Sequence, residues 1–261
     1  MIDVRPIIGI NAEKQVGKDT VASMLCYIFN TGVLRCSFRE WTIKYDNQKN
    51  KSKLKQVIHF ADYPKDILSK TFGIDRELFD DIVYKEHKLY LIDQRQFVDM
   101  KNKVLSKYII ANHAILATSP LGSFIKAYNG RVAITLRVLM QYFGTQIGRG
   151  MLHDDCWIRA TMTDAFNNRS KYGYSIIADV RFANESDAIR SQSDGYVIKL
   201  TRNIERTKDE HESEQLDGVK YDVLIENNGS KIELFYKVVE LVGKIINRNV
   251  ISASSMGEQP K

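Results

Sequence analysis

The sequence predicts an α/β fold, a doubly wound domain in which about five strands, mostly parallel, alternate with helices. Three observations carry this expectation. The apolar run Pro6–Asn11 ends in polar, turn-forming residues and leads directly into an amphipathic helical stretch, the opening of a parallel sheet. Later apolar runs, Ile176-Ile177-Ala178 and the stretch from Gly195 to Leu200, have strand length and are separated by helix-length segments. The chain has 261 residues, 44% of them hydrophobic, which is enough for one sizeable domain or two small ones.

Each element has its own justification. A helix is predicted from about Gly17 to Asn30, where Val21, Met24, Leu25, Ile28 and Phe29 build one apolar face. Residues 31–56 read as an insertion, mobile around Asp46–Ser52. Val57–Phe60 reads as a second strand, and Pro64 suits the first turn of the helix after it. Residues 75–128 have a mostly helical pattern, and 75–170 as a whole is expected to form a helical substrate-binding or lid region. Within it, a helix is predicted from about Val132 to Arg149. Tyr174–Ala178 is a buried strand ending at Asp179, Gly195–Leu200 another, and Asp222–Ile225 a shorter one. An amphipathic helix over 229–248, with Ile232, Phe235, Val239, Val242 and Ile246 on its inner side, closes a single domain expected to span 1–249. The polar residues 250–261 are expected to be a disordered tail.

Bulk properties exclude several classes. No apolar run approaches the roughly 18 to 20 residues that a membrane-spanning helix needs. The first residues lack the basic start and apolar core of a signal peptide. Cys26, Cys36 and Cys156 lie far apart with no C-x-x-C pair, so neither a disulfide framework nor a structural zinc site is expected, and a reducing cytoplasm is. The net charge of +6 fits a nucleic-acid surface or a basic pocket for an anionic small molecule. Part of that excess is a run in which Lys49, Lys51, Lys53 and Lys55 alternate with other residues. No aromatic side chain lies between them to stack on a base, so the run reads as a solvated loop and nucleic acid is not expected as a partner.

The sharpest local signal is Ala12-Glu-Lys-Gln-Val-Gly17-Lys18-Asp19-Thr20, between a predicted strand and a predicted helix. In that context a Gly-Lys loop cradles phosphate oxygens on backbone N–H groups at a helix N-terminus, and the lysine reaches the terminal phosphates. Two positions depart from the usual pattern. Ala12 replaces the first glycine, which is tolerable if its φ stays negative. Asp19 replaces the hydroxyl that normally binds magnesium, with Thr20 one place later. A carboxylate there could hold the metal, position an acceptor phosphate, or serve as a favourable first-turn acid.

The segment from Arg137 to Arg149 is the second signal. Wound at about 100° per residue, Gln141, Thr145 and Arg149 fall near 40°, 80° and 120° from Arg137, and Gly144 and Gly148 within about 20° of it. Leu139, Met140, Phe143 and Ile147 take the other side. An ordinary solvent face would carry Lys and Glu. This one carries arginines, whose forks match phosphate geometry, and glycines that let a ligand approach the backbone. A third signal is Asp179 just past a buried strand, with Arg181 following. Ligands of open α/β sheets bind at the C-terminal ends of strands, so both should face the same crevice as Lys18.

In order along the chain, the motifs are Gly17-Lys18-Asp19-Thr20, Phe60-Ala-Asp-Tyr-Pro-Lys65, the series Arg137, Gln141, Gly144-Thr145, Arg149 and Trp157, then Asp179-Val-Arg181-Phe-Ala-Asn-Glu185, His211-Glu-Ser-Glu214 and Asn227-Asn-Gly-Ser230. This series resembles the deoxynucleoside monophosphate kinases of large bacteriophages, a branch of the P-loop nucleoside monophosphate kinases. The resemblance implies a three-layer P-loop fold and transfer of a phosphoryl group from Mg·ATP to a deoxynucleoside monophosphate, in a host cytoplasm if the source is viral. ATP phosphates would then lie on the loop of Ala12, Val16, Gly17, Lys18, Asp19 and Thr20, with Asn227 beside the ATP site. Arg137, Gln141, Arg149, Asp179 and Arg181 would serve the monophosphate, together with Phe60, Lys65, Thr145 and Glu185, and Trp157 would help form the pocket. Lys18, Arg137, Arg149 and Arg181 would neutralise phosphate charge, and Asp19 and Asp179 would manage magnesium. A lid is expected on a segment that the sequence does not single out, and a homodimer stays open. So do three other readings: a P-loop kinase for another small phosphorylated metabolite, a polynucleotide end kinase, and a non-catalytic nucleotide-binding regulator.

Overall fold

Three apolar strands with a two-residue period build the main sheet. Ile8 and Ile10, Ile176 and Ala178, and Ile198 and Leu200 point to one face and join one apolar cluster. Ile7, Ile177 and Val197 point to the other face and join a second. Burial on both faces is what a parallel sheet requires, which is why these strands read as continuous apolar runs. The structure is a computed structural model and describes residues 6–13, 15–46, 54–72, 74–85, 88–92, 96–99, 132–203 and 218–255.

The strands of this sheet are β1 (Ile7–Ala12), β2 (Val57–Ile58), β6 (Ser175–Val180), β7 (Gly195–Thr201) and β8 (Val223–Glu226). Their spatial order is β2-β6-β1-β7-β8, and every pairing is parallel. This is the parallel five-stranded sheet with helices around it that the sequence predicts. Helices α1 (Lys18–Thr31) and α8 (Lys231–Ser255) supply the first cluster, and α6 (Cys156–Tyr172) and α7 (Ala183–Arg190) the second. Helix α1 stops at Gly32, whose left-handed φ of 89° lets its N–H turn back to the Ile28 carbonyl at 2.7 Å. Cys26 lies inside this packing, and burial pushes its thiol up to about 12, so it acts as a small apolar side chain.

The insertion after α1 folds against the core as far as it is described. Its short helix α2 (Phe38–Trp41) places Trp41 at 0% exposure, and the indole N–H donates to Ser23 Oγ at 3.3 Å. Trp41 and Phe38 both pack against Phe235 of α8. Residues 47–53, which hold most of the expected mobile stretch, lie outside the described residues.

By contact density the chain divides into two units, Met1–Phe60 with Trp157–Lys261, and Ala61–Cys156. The second unit contains α3 (Asp62–Phe72), α4 (Ile82–Lys85), and a three-stranded antiparallel sheet of β3 (Lys88–Ile92), β4 (Gln96–Asp99) and β5 (Val132–Thr135) in the order β4-β3-β5. Pro64 falls in the first turn of α3, as expected. The helical pattern expected over 75–128 gives way to strand at 88–92 and 96–99, and 100–131 lie outside the described residues. Short apolar runs such as Leu89–Ile92 and Val132–Thr135 suit either state, and cross-strand pairing, which no local period reveals, decides for strand. The predicted helix from Val132 therefore starts at Leu136, as α5 (Leu136–Gln141), with the Thr135 hydroxyl capping it by accepting from the Val138 N–H at 3.2 Å. Leu68, Ile74, Phe79, Leu136 and Leu139 form the unit's own apolar cluster.

At the C-terminal end, α8 runs on to Ser255, past the expected boundary at 249, and 256–261 lie outside the described residues. Among the described residues no helix is long and apolar enough to cross a membrane.

Candidate active site

The phosphate-loop candidate sits where β1 ends. Gly17 adopts φ 106°, a left-handed conformation that favours glycine, and its carbonyl starts α1 by accepting from the Val21 N–H at 3.0 Å. Gly17, as the N-cap residue, brings no side chain of its own to this helix start, and a helix N-terminus is where backbone N–H groups can receive an anion. Lys18 is the first residue of α1, Asp19 is exposed in its first turn, and Thr20 follows half-buried. Ala12 ends the strand half-buried and Val16 is buried in the first apolar cluster.

Strand β6 runs beside β1 and brings Asp179 to the same end of the sheet. Its pairing has an irregularity: Gly9 faces Ile177 but Asn11 faces Val180, so three residue steps on β6 span two on β1. The extra residue reverses the alternation, and Val180 lands in the second cluster although Ile176 and Ala178 lie in the first. Bulges of this kind re-aim side chains and concentrate at active sites. Here the re-aimed group is Asp179. Asn11 secures the distortion from the neighbouring strand, donating from Nδ2 to the Val180 carbonyl at 2.9 Å. Asp179 is 6% exposed, and its Oδ1 accepts from the Phe60 N–H at 2.7 Å, which ties β6 to the second residue after β2.

Past the bulge, the buried Glu185 turns its Oε2 back to accept from the N–H groups of Arg181, at 2.7 Å, and Phe182, at 3.1 Å. This carboxylate caps α7 and fixes the turn that carries Arg181. Phe60 and Trp157 are both buried in this unit, the Phe60 ring within the second apolar cluster. Asn227 approaches the phosphate loop from the end of β8, donating from Nδ2 to the Val16 carbonyl at 2.7 Å. The first unit thus gathers Ala12, Val16, Gly17, Lys18, Asp19, Thr20, Phe60, Trp157, Asp179, Arg181, Glu185 and Asn227.

Magnesium fits this donor set. Asp19 and Asp179 offer hard carboxylate oxygens, and Mg²⁺ is usually held by one or two carboxylates together with substrate phosphates. Among the described residues no group of three or more His, Cys, Asp or Glu side chains forms a metal cage. Such a cage is not what Mg²⁺ in a phosphoryl-transfer site needs.

Lys65, Arg137, Gln141, Thr145 and Arg149 belong to the second unit. Leu136 and Leu139 bury one side of α5, and Arg137 lies half-exposed between them. After Gln141 the helix widens into a π-helical stretch, Tyr142–Leu152. Winding at 100° per residue therefore fails beyond Gln141. Four residues are slightly more than one α turn and slightly less than one π turn, so Gln141, Thr145 and Arg149 still succeed one another along the helix. A Cβ at Gly144 would meet nothing within 4 Å, which leaves the backbone approachable at that point. Gln141 Nε2 is buried without a hydrogen-bond partner among the described residues, and Arg149 donates to the Asp154 carbonyl at 3.2 Å.

The sequence reading missed the charge network around Lys65. This lysine is 8% exposed, with Nζ 2.8 Å from Asp80 and 3.8 Å from Asp62. Arg76 bonds Asp62, Asp66 and Asp80. Burial pushes the Asp80 carboxyl up, but Lys65 and Arg76 outweigh it and hold it below the ordinary carboxylate value. Asn11 was missed as well, although a lone amide inside an apolar strand run was a readable sign. Residues 204–217, with the His211–Glu214 motif, lie outside the described residues.

The family model for deoxynucleotide monophosphate kinase matches residues 6–238. A search of curated proteins returned no match. With most of its length covered by that model, the chain belongs to the deoxynucleotide monophosphate kinase family.

Proposed function

We propose that this member of the deoxynucleotide monophosphate kinase family moves the γ-phosphoryl group of ATP onto a deoxynucleoside 5′-monophosphate. An oxygen of the acceptor phosphate attacks the γ-phosphorus, the bond to the β,γ-bridging oxygen breaks, and ADP leaves beside the new diphosphate. The observation that carries this reading is the start of α1 directly behind left-handed Gly17 at the end of β1, with Asp179 re-aimed by the bulge of the adjacent strand.

Such a transfer needs little covalent help; it needs alignment and charge neutralisation. The loop N–H groups and Lys18 hold the donor phosphates. Asp19 and Asp179 would hold Mg²⁺, which when bound supplies positive charge across the donor phosphates. Arg137 and Arg149 bind and orient the acceptor with Gln141 and Thr145 beside them. Arg181, fixed by Glu185 through its backbone, meets charge on the group in transfer.

ADP formation across a panel of deoxy- and ribonucleoside monophosphates, with Mg²⁺ and ATP, tests the proposal. The expected result is ADP and a matching diphosphate with a subset of the deoxy compounds. Nucleotide binding with no ADP from any monophosphate would overturn it in favour of a non-catalytic regulator.

A further inference from the structure

We infer that Asn227 is a positioning residue for ATP, acting on the phosphate loop from beneath rather than on the nucleotide. Its side-chain N–H donates to the Val16 carbonyl at 2.7 Å across 211 residues of sequence, and the amide is buried at 8% exposure. The contact falls one residue before Gly17, whose φ of 106° decides where the next N–H groups point. A Cβ at Gly17 would stand 3.0 Å from Asn227 Nδ2, so the amide packs directly against the bend.

Asn227 is itself firmly placed. Its backbone N–H donates to the Thr201 carbonyl at 2.8 Å, continuing the β7–β8 pairing beyond the strands. The neighbouring Asn228 accepts on Oδ1 from the Asn203 N–H at 2.8 Å. Just after, Ser230 and Glu233 cap α8 reciprocally, each accepting from the other's backbone N–H at 3.3 Å. A rigid turn therefore presents one amide to the loop that leads into α1. Without that donor the Val16 carbonyl loses a buried partner, and the left-handed bend loses what holds it open for phosphate.

This inference rests on the ATP reading above, and the test separates the two. Calorimetry of Mg·ATP and, separately, of the monophosphate is run on the parent, on Asn227→Ala and on Asn227→Asp, which keeps the size but removes the donor. Both variants should bind ATP about ten- to a hundredfold more weakly, with monophosphate affinity nearly unchanged and the melting temperature lowered by only a few degrees. Amide hydrogen exchange of residues 15–18 without nucleotide should quicken in both. Unchanged ATP affinity and unchanged exchange in either folded variant would overturn the anchor. So would loss of both ligands together with the melting temperature, which would make Asn227 a general support of the fold. If the parent itself fails to bind ATP, the proposed function falls, while the exchange measurement still decides whether the anchor exists.

Discussion

The two units are held by different means. In the first, apolar strands buried on both faces set the sheet, and backbone geometry at Gly17 and at the β6 bulge sets the loop and Asp179. In the second, a small apolar cluster shares the work with a charge network joining Lys65 and Arg76 to three aspartates. Backbone-set features tolerate few residue types and leave a mark in the sequence. Side-chain networks can be assembled from residues at many spacings and leave almost none. On the proposed function, main-chain groups hold the donor and arginine forks hold the acceptor.

The largest effect that could break this comparison is at Lys18. Lys18→Ala should lower transfer by at least about 10²–10³-fold, because it removes a preorganised positive charge at the donor phosphates. The melting temperature should stay close to that of the parent. Activity assays beside thermal melts check this, and a collapse of the melt would give Lys18 a structural role.

Arg137 comes next. Arg137→Ala should weaken use of the monophosphate by roughly 30-fold or more, with ATP affinity little changed, and Arg137→Lys should recover only part, since an ammonium lacks the two-pronged contact. Separate calorimetry of each nucleotide decides it. A loss confined to ATP would reverse the division between donor and acceptor.

Asp19→Asn should lower turnover by about tenfold and be partly rescued by raised Mg²⁺, because an amide is a poorer ligand for a hard cation than a carboxylate. Full activity at ordinary Mg²⁺ would make Asp19 only a first-turn acid.

The smallest effect concerns stability. A carboxylate whose folded pKa is depressed, as at Asp80, contributes stability that is fully present above its unfolded value near 3.9 and is lost as pH falls through the lower folded value. Asp80→Asn should remove that slope. At pH 7 its effect should stay within about 1 kcal/mol, because the Asp80 side chain is 41% exposed and well screened. Urea midpoints from neutral to acid pH compare the two proteins, and parallel curves would show that the network contributes nothing through Asp80.

Legibility followed the same line. The strand at Ile7–Ala12, the loop lysine and the acid after Ile176-Ile177-Ala178 were readable because apolar period, glycine placement and strand-end chemistry are local. Strands β3 to β5 were not, since β5 pairs with β3 from far along the chain and the side-chain pattern of these short runs suits a helix as well. The bulge was invisible too: it exists only in the register between β1 and β6. The widening after Gln141 altered the predicted arc without scattering it, because a four-residue spacing nearly closes a turn in either helix. Glu185 and Phe60, expected near the substrate, also have a structural bond that only the fold reveals: one holds a backbone and the other a carboxylate in place.

The partners of β1 have a consequence during synthesis. This strand is translated well before its partners: among the described residues it pairs with β6 and β7, and Asn11 bonds Val180 from 169 residues away. At roughly 5–20 residues per second, about 10–30 s separate the two strands on the ribosome. Through that interval an apolar strand with both edges open waits in the nascent chain, a template for unwanted pairing. Ala61–Cys156 is translated wholly within the wait. The amount of active enzyme a cell recovers should therefore depend on translation speed and on chaperones that shield β1.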